Sequence, residues 1–214
     1  MVTLLLADGR VDPNIARRKG YTALMDAAKE GHASVVTLLL ADGRVDPNIA
    51  NQYSYTALML AAWRGHAPVM TPLLADGRVD PNMADEDSFT ALMLAALKGH
   101  ASVVTLLLAD ERVDPNMANQ KGITALMDAA LGGHASVVTL LLADERVDPN
   151  IADQYGNTAL MIAAWKGHAP VVTLLLADER VDPNMARLKG YTALMLAADK
   201  GHASVVALLL ADGR

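Results

Sequence analysis

The tetrapeptide Thr-Ala-Leu-Met occurs six times in this chain, starting at Thr22, Thr56, Thr90, Thr124, Thr158 and Thr192, and each copy begins 34 residues after the one before. The six histidines, His32, His66, His100, His134, His168 and His202, keep the same step. A fixed period of this length restricts the fold more than any composition does. Each unit is one short supersecondary element that cannot close a core alone, so successive units must stack and bury their apolar faces against one another. The period also divides the residues by task. Positions that stay the same build the stack, and positions that vary are where anything specific has to be written.

One unit, residues 16–49, shows how the stack is made. Thr22 precedes an apolar-rich segment, Ala23 to Glu30, that Gly31 stops. Threonine is a good helix N-cap and glycine a good terminator, which predicts a first helix of about two turns. His32-Ala33-Ser34 opens a second helix, Val35 to Asp42, apolar round most of its circumference and expected to be largely buried. Helices below about 12 residues are marginal alone, so stacking must hold both. Asp46-Pro47 then marks a type I turn. The link from there to Thr56 is long enough for an extended finger with a second turn of its own. Gly20, Gly122, Gly156 and Gly190 hold that second turn, as a positive φ demands, and Ser54 and Ser88 break the pattern at a small expected cost. Pro72 breaks another. It stands where other copies carry Leu38, Leu106, Leu140, Leu174 and Leu208, about one turn inside the helix. It removes a hydrogen bond to the Pro68 carbonyl; a proline in an ordinary helix interior costs about 3 kcal/mol, and a kinked or shortened helix is predicted there.

Composition sets the remaining bounds. The 214 residues are 52% apolar, ample for a buried core, and the net charge is -6. Acidity argues against sequence-independent nucleic-acid binding, which needs clustered Lys and Arg. Cysteine is absent, so disulfides and thiolate metal sites are excluded. No apolar run approaches the roughly 18 residues of a membrane helix. Met1 to Ala7 is faintly like a signal core, but the same string recurs at Val36 to Ala41 and the repeat explains it. With no targeting signal seen, the expected setting is the cytoplasm or a recombinant soluble preparation.

Thr-Ala-Leu-Met opening the first helix, Gly31-His32 between the helices, Leu38-Leu39-Leu40 in the second and Asp46-Pro47-Asn48 in the finger together resemble the ankyrin repeat. The likeness recurs in register along essentially the full chain. It implies an all-α, ankyrin-type solenoid of stacked helix-turn-helix units with β-hairpin-like fingers. One array then fills residues 1–214, with a partial repeat at 1–15, full repeats at 16–49, 50–83, 84–117, 118–151 and 152–185, and a last repeat without its finger at 186–214. Three departures stand out against the family pattern: Ala23 and its equivalents in place of Pro, Met25 and its equivalents in place of His, and a period of 34 where 33 is usual. The Met exchange swaps a polar bridge for a flexible apolar filler, and the extra residue is assigned to the Asp42 to Val45 turn.

Variation between copies falls mainly in the finger and at Asp26, Lys29, Glu30 and their equivalents on the first helix, while Ser34, Gly43 and Ile49 vary between only two residue types each. At 100° per residue Asp26, Lys29 and Glu30 share one arc, and the constant Ala23, Leu24, Ala27 and Ala28 fill the other. In the ankyrin architecture the varying face and the finger lie side by side on the concave surface. Every aromatic of the chain sits at a varying position, and aromatics supply large contact area at low entropic cost. Tyr53, Trp63, Tyr155 and Trp165 are therefore candidate contact residues. Tyr55 and Phe89, just before their helices, are candidates that packing of the finger base also explains. Leu97 and Leu131 share the Trp63 and Trp165 place on the helix, with Arg64 and Lys166 beside the tryptophans. Arg17, Arg18 and Lys19, then Asp85, Glu86 and Asp87, then Arg187 and Lys189 give the finger strip a basic-acidic-basic order, either a solvated rim or a device to orient a partner, and Lys121 lies between the two aromatic sites as a further candidate.

No catalytic constellation accompanies these residues. The histidines come one per repeat, and helices pack 8–10 Å apart, too far for neighbours to share a zinc ion with bonds of about 2 Å. Asp42, Asp46 and Asn48 superficially suggest a calcium loop, but Arg44 interrupts them and the closing Glu is missing. Neither a phosphate loop nor a nucleophile elbow is present. The reading is a non-enzyme without cofactor or metal. It is a protein-protein interaction scaffold that binds a folded protein of unknown identity through its concave strip, without nucleic acid or membrane. The uniform framework resembles a consensus-designed or library-derived ankyrin repeat protein, a recently amplified natural array being the alternative origin. The alternative function is a structural repeat protein with no specific partner. Since neither end carries polar capping substitutions, end-to-end self-association is also expected. Tyr53 with Trp63 and Tyr155 with Trp165 form two equivalent sites three repeat steps apart, about 30 Å.

Overall fold

The computed structural model describes residues 11–214, so the helix expected over the first residues lies outside the described part. Among the described residues there are twelve α-helices in six pairs. The first helices are α1 (Ala23–Lys29), α3 (Ala57–Arg64), α5 (Ala91–Lys98), α7 (Ala125–Gly132), α9 (Ala159–Lys166) and α11 (Ala193–Asp199). The second helices are α2 (Ala33–Leu40), α4 (Ala67–Ala75), α6 (Ala101–Leu108), α8 (Ala135–Ala143), α10 (Ala169–Ala177) and α12 (Ala203–Ala211). First helices stack on first helices and second on second, with each pair closed on itself, which makes a two-layered solenoid. Each first helix starts where the sequence places it. The Thr22 hydroxyl accepts from the Met25 N–H at 3.3 Å, and its five equivalents do the same.

The core is the constant set. Met25, Met59, Met93, Met127 and Met161 are buried between layers, as are the alanine pairs Ala61-Ala62, Ala95-Ala96 and Ala129-Ala130. Small alanines let the first helices approach closely, and the unbranched methionines fill the gaps between them.

Three ladders of hydrogen bonds tie each repeat to the next, and all come from constant polar residues. The Asn48 amide donates to the Arg78 carbonyl at 2.7 Å and its oxygen accepts from the Asp80 N–H at 2.9 Å, and Asn14, Asn82, Asn116 and Asn150 repeat the clamp. The Arg78 guanidinium pairs with Asp76 at 2.6 Å and reaches back to the Leu40 and Val45 carbonyls at 2.8 and 2.9 Å. Leu40 ends α2, so this arginine satisfies a carbonyl that the helix leaves orphaned. It also holds the Asp76 carboxyl below the usual carboxylate range. Arg112, Arg146, Arg180 and Arg214 do the same one repeat on. The third ladder is imidazole. His66 Nε2 lies 3.0 Å from the Lys29 carbonyl, and the next four histidines meet the equivalent carbonyls at 3.1–3.2 Å. A carbonyl only accepts, so Nε2 carries the proton. Gly65 makes room for this contact: its φ is 76°, and a Cβ there would meet His100 at 2.7 Å.

The fingers carry only isolated pairings, Arg17 with Tyr21, Ala84 with Thr90 and Ala118 with Thr124, in place of extended hairpins. Successive fingertips are joined by single backbone bonds, Gln52 N–H to Lys19 O at 3.0 Å, Gln154 to Lys121 at 2.9 Å and Leu188 to Tyr155 at 3.0 Å. Ser54 and Ser88 adopt φ of 60° and 67°, the positive values the glycine pattern implied. At Gly122 a Cβ would stand 3.0 Å from the next finger's backbone. Where serine supplies that carbon the joint weakens: no bond joins Glu86 to Tyr53, and the Gln120 to Asp87 bond lengthens to 3.3 Å.

Pro72 does not shorten its helix. α4 runs unbroken through it for nine residues, the length of α8 and α10. The ring is only half-buried, and the carbonyl it leaves unserved sits in the helix's first turn. Its trace is local. The hydroxyls of Thr37, Thr105, Thr139 and Thr173 each donate to the carbonyl four residues back at 3.0 Å, and Thr71 beside the proline does not.

Candidate protein-binding surface

Most of the varying positions lie on the first helices and the fingers. Each finger is closed by a backbone bond across its base, such as Asn51 N–H to Tyr55 O at 3.0 Å. In four copies the residue at that base is Asn or Asp, and its side chain folds the turn. Asp85 Oδ1 accepts from the N–H groups of Asp87 and Phe89 at 3.0 and 2.8 Å, and Asn51, Asn119 and Asp153 do likewise. Asp85 is therefore a turn former first. Arg17 and Arg187 offer no acceptor, and there the chain turns through left-handed Lys19 and Lys189, both at φ 73°.

The aromatic candidates separate by environment. Tyr53, Tyr155 and Trp165 are exposed, Trp165 by 42%, together with Leu131. Lys166 Nζ lies over the Trp165 ring at 4.5 Å. Trp63 is half-buried, because Lys98 from the next repeat covers its face at 3.8 Å. Lys19 lies 5.7 Å over the Tyr53 ring and holds that hydroxyl below its usual range. Tyr55 and Phe89 are half-buried and pack on the core, as a finger-base role requires. Burial, with Asp85 and Asp87 nearby, pushes the Tyr55 hydroxyl up. Leu97 is half-buried, and Arg64, Asp87, Lys121 and Lys189 are exposed.

One pairing on this surface escapes a reading of single positions. Arg17 grips Asp26 through two hydrogen bonds of 2.8 and 2.7 Å, which lowers the Asp26 pKa. The same two places hold Asn51 and Leu60, Asp85 and Leu94, Asn119 and Asp128, Asp153 and Ile162, and Arg187 and Leu196 in the later copies. Repeat four keeps the acid without the arginine. Asp128 is 2% exposed, its Oδ2 has no hydrogen-bond partner, and burial pushes its pKa up to about 7. Comparing both places across the copies, nine residues apart, is the signal that finds this pair.

No group of three acidic or histidine side chains among the described residues is placed to hold a metal ion. No helix among them is long and apolar enough to cross a membrane. Two hollows lie on the opposite face between successive second helices, at Thr71 to Arg112 and again at Thr105 to Arg146. They are shallow and lined at equivalent places one repeat apart, so they follow from the stacking.

Paired antiparallel helices, an interlocking finger and polar ladders at a fixed step define a solenoid repeat protein. The sequence model described as ankyrin repeats (three copies) matches residues 1–85, 68–153, 92–187 and 133–214. The chain belongs to the ankyrin repeat family. A search of curated proteins finds no match by sequence. Among solved structures it is similar to the ankyrin repeat domain of Bcl-3, described as a member of the IkappaB protein family, at 27% identity and a TM-score of 0.85 over 98% of this chain and 90% of that one. It is similar to the ankyrin repeat protein EF0377 at 27% identity and a TM-score of 0.81, covering 88% and 96% of the two chains. An ankyrin repeat domain from Acinetobacter baumannii AYE matches at 28% identity and a TM-score of 0.80, covering 89% and 97%. Ankyrin repeats are in general protein-interaction scaffolds, typically without catalysis, and the solenoid here is of that class.

Proposed function

We propose that this chain is a non-catalytic scaffold that binds a folded protein through the strip formed by its fingers and first helices. The observation that carries the reading is the exposure of Tyr53, Tyr155, Trp165 and Leu131 on a face made of varying positions, while the ladders and core that build the stack are constant. Exposed aromatic and aliphatic anchors among charged neighbours are what a protein interface uses. A partner touching both tryptophan sites spans about 30 Å, which suits a protein and exceeds a small ligand. The uniformity of the framework supports an engineered, consensus-type origin. The test is capture of a partner by the intact chain, by Trp63→Ala with Trp165→Ala, and by Thr105→Ala with Thr139→Ala on the opposite face. The strip reading expects loss of at least tenfold in affinity for the tryptophan variant only. Loss confined to the threonine variant would move the interface to the second helices.

A further inference from the structure

We infer that the strip contains a built pocket for a carboxylate carried on an apolar stem, supplied by an Asp or Glu side chain of the bound protein next to a large apolar residue. The inference rests on the strip reading above and specifies its chemistry.

The pocket is a cavity of 260 Å³ spanning repeats four to six, walled by Met127, Leu131, Ile162, Trp165 and Leu196. A cavity of 250 Å³ at the equivalent place in repeats one and two is lined by Tyr21, Lys29, Tyr55 and Trp63, so the hollow itself is not unique to repeats four to six and its lining is what differs. The residue before each capping threonine is Tyr21, Tyr55, Phe89, Ile123 or Tyr191, but Asn157 in repeat five, and Leu131 stands in the place of Lys29. Arg187 also lines the cavity, and it is the arginine half of the pair described above. In repeat one the same arginine holds Asp26 through two bonds under 3 Å. In repeat six the acid's place is Leu196. Arg187 has no ion pair, one long contact of 3.4 Å from Nη1 to Asn157 Oδ1, and a face-on approach to Tyr191 at 5.1 Å. Its Nε is buried without a partner.

A buried, unpaired donor on a fixed cation disfavours the empty state and rewards a carboxylate that completes the fork. The one acid lining the cavity, Asp153, is already engaged: it accepts from the Tyr155 and Asn157 N–H groups and from the Asn157 amide. Lys166 lies over the Trp165 ring, one of the cavity's walls, and adds positive charge nearby. The remaining walls are apolar, so a bare anion gains little beyond the fork and a carboxylate on an apolar stem gains both. The Arg17–Asp26 pair within the same chain shows the geometry such a ligand would reproduce.

The probes are 3-phenylpropionate and its neutral amide, titrated into the isotopically labelled full chain, with the Arg187 Nε–H and the Trp165 indole N–H followed by NMR. The expected result is a saturable shift of both signals by the acid, with at least tenfold weaker binding of the amide. Arg187→Gln should reduce acid binding to the level of the amide. Leu196→Asp, which restores the internal partner seen in repeat one, should do the same. Equal binding of acid and amide, no shift at Arg187, or unchanged acid binding by folded Arg187→Gln would each overturn the pocket. The strip reading is judged separately, because partner capture that depends on Trp63 and Trp165 but is indifferent to Arg187→Gln sustains the surface while removing the carboxylate site.

Discussion

Asp128 is a place where this array works against itself, and replacing it should stabilise the protein in a pH-dependent way. The carboxyl is 2% exposed with an unpartnered oxygen, and desolvation alone lifts its pKa from the ordinary 3.8 to about 7. As pH rises past 3.8 the unfolded chain gives up this proton, while the folded chain keeps it until about 7. Across that window the unfolded state binds fewer protons, so folding stability falls by about 1.4 kcal/mol per pH unit and then levels off. Over the interval from 3.8 to about 7 the loss at neutral pH reaches about 4 kcal/mol. Leu60, Leu94 and Leu196 occupy the same place in other repeats, so Asp128→Leu fits the framework. A chain of this size moves its Tm by about 2–4 °C per kcal/mol, which puts the expected rise near 10 °C at pH 7.5. Thermal melts at pH 7.5 and pH 4, with amide exchange of α7 to localise the effect in a repeat array, make the measurement. The gain should shrink to a small apolar remainder at pH 4. An equal gain at both pH values would assign it to leucine packing, and no gain at pH 7.5 would show that the carboxyl is solvated.

Three further outcomes follow from the ladders and joints. Pro72→Leu should restore one helical hydrogen bond and the Thr71 hydroxyl contact and raise the Tm by several degrees, an unchanged Tm showing that α4 accommodates the ring without penalty. Ser54→Gly with Ser88→Gly should relieve two left-handed residues worth about 1 kcal/mol each, and slow amide exchange at Glu86 and Gln120 as their fingertip bonds form; unaltered exchange there would refute the Cβ argument. Asn116→Ala removes both bonds of one clamp, to the Arg146 carbonyl and the Asp148 N–H, and should destabilise by about 1–3 kcal/mol in urea melts; a loss within 0.5 kcal/mol or so would make the ladder incidental.

The stack was legible because its signals are local. Threonine at the N-cap, glycine at positive φ and a 34-residue step each state a backbone requirement that one unit suffices to reveal. The ladders were not, since Asn48 reads as a turn residue, and Arg44 as a break in a calcium loop, until the next repeat is placed beside them. The candidate surface divides the same way. Sequence alone makes Trp63 and Trp165 equivalent, each with a lysine 35 residues on, and what distinguishes them is that Lys98 covers the Trp63 ring whereas Lys200 pairs with Asp199. Pro72 was expected to shorten its helix because propensity treats a helix in isolation, whereas α4 is held on both sides by α2 and α6.

The same logic connects Asp128 to Arg187. Repeat one carries both members of a bidentate pair, repeat four only the acid, repeat six only the base. Each lone member is penalised by burial, but the consequences differ in kind. A carboxyl can take up a proton and become neutral, so Asp128 meets its environment by shifting its pKa and expresses the conflict as a pH-dependent loss of stability. A guanidinium stays charged at any pH a protein survives, so Arg187 has no such escape and its conflict is relieved only by an external acceptor. Position decides the rest. Asp128 is sealed inside the helix layer, where no ligand reaches it, whereas Arg187 lines a cavity on the strip together with Asn157 and Trp165. Splitting one ion pair between two repeats therefore leaves a stability defect where the acid stayed and a recognition site where the base stayed.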